Sequence, residues 1–303
     1  MLNLNYQVFE GEYAAFQQRA GNGLCFEQLK FSIMHGNGNV LAIVDEALSG
    51  LSAKDINGTF AKEICGSFHS IRIDGISFLR RISGKVKMTY YERDGTHSQM
   101  CGNALRCSAL YCYEQGYIAR EDAIITDDGE KWVSIALDSL RVGLGVGREF
   151  QKIAEEQYFA FSGLPHVVVF VDELECIDVK TVGAALRYDK QLCELVNHPE
   201  GVHVDFLQEG PDYISIRTYE VGIEDETLAC GTGVAASAFI ANRVGLFPFP
   251  IHVKTKGGEM IVDENEYGLI ISGVIEYLFS NIKTEITLAQ ARDCTPPINL
   301  IVS

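Results

Sequence analysis

The chain has no Cys-x-x-Cys pair, no apolar run near the ~18 residues of a membrane-spanning helix, and few basic side chains, 25 Lys and Arg against 41 Asp and Glu. Each absence excludes something. A net charge of −16 repels nucleic acid and anionic membrane surfaces, so neither is an expected partner. Nine cysteines is an odd number, and their scatter over positions 25, 65, 101, 107, 112, 176, 193, 230 and 294 argues against a disulfide framework or a structural zinc site. A reducing, cytoplasmic setting is the matching expectation. The first residues, from Met1 to Glu12, lack a basic head followed by an apolar stretch, so no secretory signal is expected. A Gly143-x-Gly145-x-Gly147 run has neither the spacing nor the following helix of a dinucleotide site.

What is present reads as two copies of one unit. The first is Thr89-Tyr90-Tyr91-Glu92, then Gln99-Met100-Cys101-Gly102-Asn103-Ala104, with a helix expected to stop at Gly116. The second is Thr218-Tyr219-Glu220, then Leu228-Ala229-Cys230-Gly231-Thr232-Gly233, with a helix expected to stop at Gly245. From each cysteine to its terminating glycine is fifteen residues. Both helices carry apolar and small residues on all sides, which predicts enclosed helices in place of amphipathic surface ones. Strand patterns occupy 29–34, 40–45, 76–79, 86–91, 123–126, 132–137 and 140–146, and recur at 167–171, 202–207, 213–219 and 251–274. Helical spacing covers 54–65 and 179–186. Several short strands around one apolar helix in each half predict an α+β fold of two pseudo-symmetric domains. The expected layout is an N-terminal extension over 1–28, a first domain over 29–120 with 276–303 as the candidate segment to complete it, and a second domain over 121–275.

A helix start carries unpaired N–H groups and about half a positive charge, so it attracts anions and lowers a nearby thiol's pKa. Two such starts facing each other would grip one carboxylate from both sides. If that carboxylate belongs to an α-amino acid, one sulfur as thiolate can remove the α-proton while the other, as thiol, returns a proton to the opposite face. Backbone donors would steady the carbanion, and the scheme requires no cofactor.

Together, His35-Gly36-Asn37-Gly38-Asn39, Asp94-Gly95, Met100 to Cys107, Gly163-Leu164-Pro165-His166 and Glu226 to Gly233 resemble the diaminopimelate epimerase family over roughly residues 29 to 275. The resemblance implies two domains, each a strand layer wrapped around a central helix, with the site in the cleft between them. It implies cofactor-independent two-base epimerisation by Cys101 and Cys230. His166 and Glu220 correspond to the polar pair that orients the substrate's amino end and supports the cysteines. Asn39 and the Asp74-Gly75 pair correspond to substrate contacts, and the N–H groups of Gly102, Asn103, Gly231 and Thr232 to the holders of the reacting carboxylate.

The resemblance fails at four positions. The family's asparagines are Glu92, Leu164 and His203 here, and its arginine after the strand-end glutamate is Val221. These changes remove the donors for a second, distal carboxylate, and Glu92 would repel one. The expected substrate is therefore a small amino acid with a cationic or imidazole side chain, such as histidine, lysine or arginine, with a homodimer as the candidate assembly. Diaminopimelate epimerase proper stays an alternative, and three others are open. A proline racemase also pairs Met-Cys-Gly with Cys-Gly-Thr-Gly. A cysteine hydrolase would use one cysteine with His35, His166 or His203 as base, and leaves the repeat unexplained. A non-catalytic binding protein on this scaffold is the third.

Overall fold

The computed structural model describes residues 29–68, 71–136 and 139–280. The expected N-terminal extension, and residues 281–303 of the C-terminal segment, lie outside them. In the first half the elements run β1 (Phe31–Gly36), β2 (Asn39–Asp45), α1 (Gly58–Ser67), β3 (Gly75–Ile82), β4 (Lys85–Glu92), β5 (His97–Ser98), α2 (Gly102–Glu114), β6 (Glu121–Thr126), β7 (Gly129–Ile135) and β8 (Leu140–Gly145). The second half runs β9 (Arg148–Ala154), β10 (Gln157–Phe161), β11 (Pro165–Phe170), α3 (Val179–Arg187), α4 (Lys190–Leu195), β12 (His203–Glu209), β13 (Tyr213–Glu220), β14 (Asp225–Thr227), α5 (Gly231–Arg243), β15 (Ile251–Thr255), β16 (Gly258–Asn265) and β17 (Gly268–Gly273). A last strand, β18 (Ile275–Ser280), returns to pair antiparallel with β1.

The repeat seen in the sequence recurs in the strand pairing. In the first half β2 pairs parallel with β3 across α1, β3 antiparallel with β4, and β4 parallel with β6 across α2. In the second half β11 pairs parallel with β12 across α3, β12 antiparallel with β13, and β13 parallel with β15 across α5. The β6–β7–β8 and β15–β16–β17 meanders follow, and β8 pairs with β17, fusing the halves into one 18-stranded sheet. The sheet is mixed. Its parallel pairs were not visible as local alternation, because a strand's partner direction is set by the crossover and leaves no period in the strand itself.

Both cysteine helices are enclosed, as their composition predicts. In α5 every residue from Gly231 to Ala241 is buried, and α2 is buried over most of its length. They also end alike. The Tyr117 N–H closes on Cys112 C=O at 2.8 Å around Gly116, and the Leu246 N–H on Ala241 C=O at 2.9 Å around Gly245, both glycines having positive φ. The main core contains the inner faces of both helices and of strands from both halves. No helix among the described residues is long and apolar enough to cross a membrane.

Two smaller clusters cover the outer faces. In the first, α1 starts later than its sequence pattern suggests because the Asn57 side chain accepts the Phe60 N–H at 3.0 Å, which caps the helix there. It buries Phe60 against Phe78, whose ring is fully enclosed and also meets Tyr91 edge-on. Replacing Phe78 with alanine should cost about 3–5 kcal/mol of unfolding free energy, read as a lower urea midpoint at unchanged slope. A loss under about 1 kcal/mol would mean that this cluster contributes little to the fold.

Candidate active site

Cys101 is the N-cap of α2 and Cys230 the N-cap of α5. Neither helix start receives a side-chain cap or carries an acidic residue in its first turn, so both keep their free N–H groups and positive ends for something else. The two starts meet at glycines. A Cβ placed on Gly231 would lie 3.4 Å from the Gly102 Cα, and one on Gly102 would lie 2.9 Å from the Ile271 Cδ1. Side chains at these positions would wedge the helix starts apart.

A cavity of about 620 Å³ opens where they meet, lined by Cys101, Cys230, Asn39, Asp74, Glu92, Gly102, Asn103, Leu164, His203, Glu220, Gly231 and Thr232. All of these were marked from the sequence. Val221, where the family pattern has arginine, lines it too. The buried Asn39 Oδ1 has no partner among the described residues, leaving an acceptor free for a ligand.

His166 is the exception. It is fully buried and does not reach the cavity. Its Nδ1–H donates to Asp205 Oδ2 at 2.7 Å, and its Nε2 accepts from the Thr232 hydroxyl at 2.9 Å. Thr232 Oγ1 lies 3.3 Å from Cys230 Sγ, and Asp205 Oδ1 accepts from Thr218 Oγ1 at 2.6 Å. A hydrogen-bonded line thus runs from Cys230 through Thr232 to a histidine–aspartate couple. Sequence reasoning marked Thr232 for its backbone only and missed Asp205. The available signal was an aspartate in the apolar run 202–207, two residues from His203 and so on the same strand face.

Carboxylates crowd the cleft, and most are neutralised. Asp74 pairs with Arg72, Asp225 with Lys180, and Glu226 with Arg217 and Lys256. Glu92 and Glu220, at corresponding strand ends of the two repeats, have no cationic side chain within ion-pair distance among the described residues. Burial, reinforced by the negative charge of Glu220, pushes Glu92 up to about 8 although the Tyr90 hydroxyl donates to it at 3.0 Å. Burial likewise raises Glu220 to about 7.

The thiols depart from the helix-start expectation. Burial, then the charge of Glu92, pushes Cys101 up to about 12, and burial with Glu220 and Asp205 drives Cys230 well above the ordinary thiol value. Desolvation and nearby carboxylates outweigh the helix ends. Both sulfurs are therefore held as thiols at neutral pH.

His203 is driven well below the usual histidine range by burial and by His166, on which its ring stacks at 4.7 Å. Its Nδ1 accepts the Val221 N–H at 3.3 Å, so the neutral ring carries its proton on Nε2. His166, His203 and Cys230 place ligand atoms within 4.8 Å of one another, a donor set that suits a thiophilic ion. Both nitrogens of His166 are already hydrogen-bonded, to Asp205 and to Thr232, so that use would break one of these bonds.

Comparison with known proteins matches this architecture twice along the chain. The family model for diaminopimelate epimerase covers residues 31–145 and 158–273. The chain belongs to the diaminopimelate epimerase family. Diaminopimelate epimerase from Archaeoglobus fulgidus is 31% identical over 84% of this chain and 96% of its own length, and that from Thermotoga maritima is 30% identical over 79% and 96%. Among solved structures, a PhzF-family phenazine biosynthesis protein from Bacillus anthracis superposes with TM-score 0.63 at 14% identity, covering 83% of this chain and 97% of its own. A hydroxyproline epimerase from Agrobacterium vitis, with bound trans-4-OH-L-proline, gives 0.59 at 15%, covering 83% and 91%. These two similarities carry the fold. As a family member the protein is an isomerase of the racemase and epimerase class, with two pseudo-symmetric α+β domains.

Proposed function

We propose that this epimerase-family protein racemises a basic or imidazole amino acid, histidine foremost, with Cys101 and Cys230 as its two bases and without a cofactor. The observation that carries the substrate reading is the pair Glu92 and Glu220, two cleft carboxyls without a basic side chain to neutralise them. A zwitterion with a second positive or proton-donating group supplies what the cleft lacks. Glu220 takes the α-ammonium end, and the free N–H groups of α2 and α5 take the α-carboxylate. His203, neutral and presenting Nε2–H, suits an acceptor such as an imidazole nitrogen better than an ammonium. Glu92 suits the imidazole's own N–H. Leu164 and Val221 supply apolar wall where a distal carboxylate would need donors.

The reaction needs one sulfur to lose its proton first. Cys230 can pass it through the Thr232 hydroxyl to His166, where Asp205 stabilises the imidazolium. The thiolate then takes the α-proton, the electron pair moves toward the carboxylate held by the helix starts, and the Cys101 thiol delivers a proton to the other face. Asn39 and Asp74 line the same cavity and hold the bound substrate in place.

Incubating the protein with single L-amino acids in deuterated water, without pyridoxal phosphate, tests this. Histidine, and to a lesser degree lysine or arginine, should give both enantiomers with deuterium at the α-carbon. If these keep their α-proton while diaminopimelate exchanges, the substrate reading is wrong.

A further inference from the structure

One fully buried charge takes no part in the chemistry above. Arg106, on the second turn of α2, is 0% exposed, and no carboxylate lies within ion-pair distance of it among the described residues. A guanidinium in such a place is costly unless its donors are used. Nη2 donates to Asn37 Oδ1 at 2.9 Å and to Asn103 Oδ1 at 2.6 Å, and Nη1 to the Val274 carbonyl at 3.5 Å. Burial lowers its pKa only to about 10, so it stays charged at neutral pH.

Both asparagines lead to the other cysteine. Asn103 Nδ2 donates to the Ala229 carbonyl, the residue before Cys230, at 3.1 Å. Asn37 Nδ2 donates to the carbonyls of Gly257 and Glu259 at 3.4 and 3.1 Å, and the Gly257 N–H returns to the Leu228 carbonyl at 2.8 Å. One cation in the first half thus holds, by two routes, the backbone just ahead of Cys230 in the second. The cradle fits its fork, while the buried Nε has no partner among the described residues. A Cβ on Gly273 would lie 2.8 Å from Arg106 Nη1 and 2.4 Å from Asn37 Oδ1, and one on Gly36 would lie 3.2 Å from Nη2.

We propose that Arg106 is a positioning residue for the reaction: its forked donors, acting through Asn37 and Asn103, hold the Cys230 loop in register with the first turn of the Cys101 helix. A two-base inversion needs both sulfurs aligned on one carbon at once, whereas exchange of an α-proton from one face needs a single sulfur. Loss of the tie therefore separates the two outcomes. A lysine at 106 keeps the charge but offers a point donor in place of the fork, and restores part of the alignment.

The proposal rests on the two-thiol reading, and the test separates their failures. Arg106→Gln and Arg106→Lys are compared with the wild type in deuterated water for inversion against α-deuterium exchange with retention, and by hydrogen exchange of the Gly257 amide, which donates to the Leu228 carbonyl, and of the Val234 amide, which donates to the Cys230 carbonyl. In R106Q, inversion should fall about 100-fold with KM changed less than about threefold, and retention exchange should rise as a share of all exchange. R106K should fall between R106Q and the wild type. The Gly257 and Val234 amides should exchange at least tenfold faster in R106Q while those of the β11–β12 pair keep their protection. A purely structural role would lower inversion and retention exchange together and loosen the whole chain. Unchanged protection at Gly257 and Val234 overturns the proposal whatever the substrate proves to be. If R106Q does not fold, R106K alone decides, because an inversion rate and loop protection equal to the wild type would overturn it equally. Faster loop exchange in a protein whose wild type inverts no amino acid would leave the tie standing and remove the two-thiol reading.

Discussion

Replacing Cys101 with serine should lower the rate of inversion about 10³-fold or more, and replacing Cys230 should do the same. A serine hydroxyl is a far weaker acid than a thiol, so the variant lacks either the base on one face or the acid on the other. The double variant should be little worse than either single one, since the pair acts as a unit. Residual chemistry should be face-selective. Each single variant should still exchange the α-proton of one enantiomer with deuterium, without inverting it, because the remaining sulfur can remove a proton and return it from the same side. The two variants should select opposite enantiomers. Chiral chromatography with mass spectrometry of the α-position reads both quantities. Full inversion by either variant would remove the two-base mechanism, and loss of activity in only one variant would favour the single-cysteine hydrolase.

The duplication was legible because it is local. A cysteine, a glycine and a helix of fixed length recur at fixed distance after a Tyr-Glu strand end, and the structure puts Glu92 and Glu220, Cys101 and Cys230 around one cavity. Enclosure of α2 and α5 was legible from their lack of a polar face. The β9–β10 hairpin was not. In β9, Arg148, Glu149, Phe150, Lys152 and Ala154 are exposed, so the strand has little apolar alternation and is held by backbone pairing with β10. Arg106 sits inside a motif that reads as a signature, and only the fold shows that its donors reach across to the second half. The thiol acidities were misjudged for the same reason. A helix start is visible in the sequence, whereas the burial and the two carboxyls that override it come from residues far apart in the chain. These same carboxyls help to raise both thiols, so the positive charge that the proposed substrate carries also favours the thiolate the reaction needs.

Replacing Glu92 with glutamine should lower kcat/KM for the basic amino acid about 100-fold while leaving the cysteines and their helices in place. Losing a buried hydrogen bond to a charged group typically costs about 1.5–3 kcal/mol, which brackets that loss. The pH profile distinguishes a charge effect from a shape effect. Burial pushes Glu92 up to about 8 and Glu220 up to about 7, so below pH 7 both are mostly protonated and hold a cation poorly. The wild-type kcat/KM should therefore climb from pH 6 to about pH 8 and level off above it, and binding at pH 7 should release protons, visible as a dependence of the calorimetric heat on buffer ionisation enthalpy. E92Q should lose the upper part of that climb and most of the proton release. Folding stability carries the opposite sign. Because both folded pKa values lie above the ordinary glutamate value, these groups stabilise the fold below that value and the contribution is lost as the pH rises through about 7 to 8. The wild-type melting temperature should fall across that interval, and E92Q should fall less. A variant that keeps its kcat/KM toward basic substrates, or a pH profile unchanged by the substitution, would mean that Glu92 does not receive the side chain, and the choice of substrate would have to be sought in another wall of the cleft.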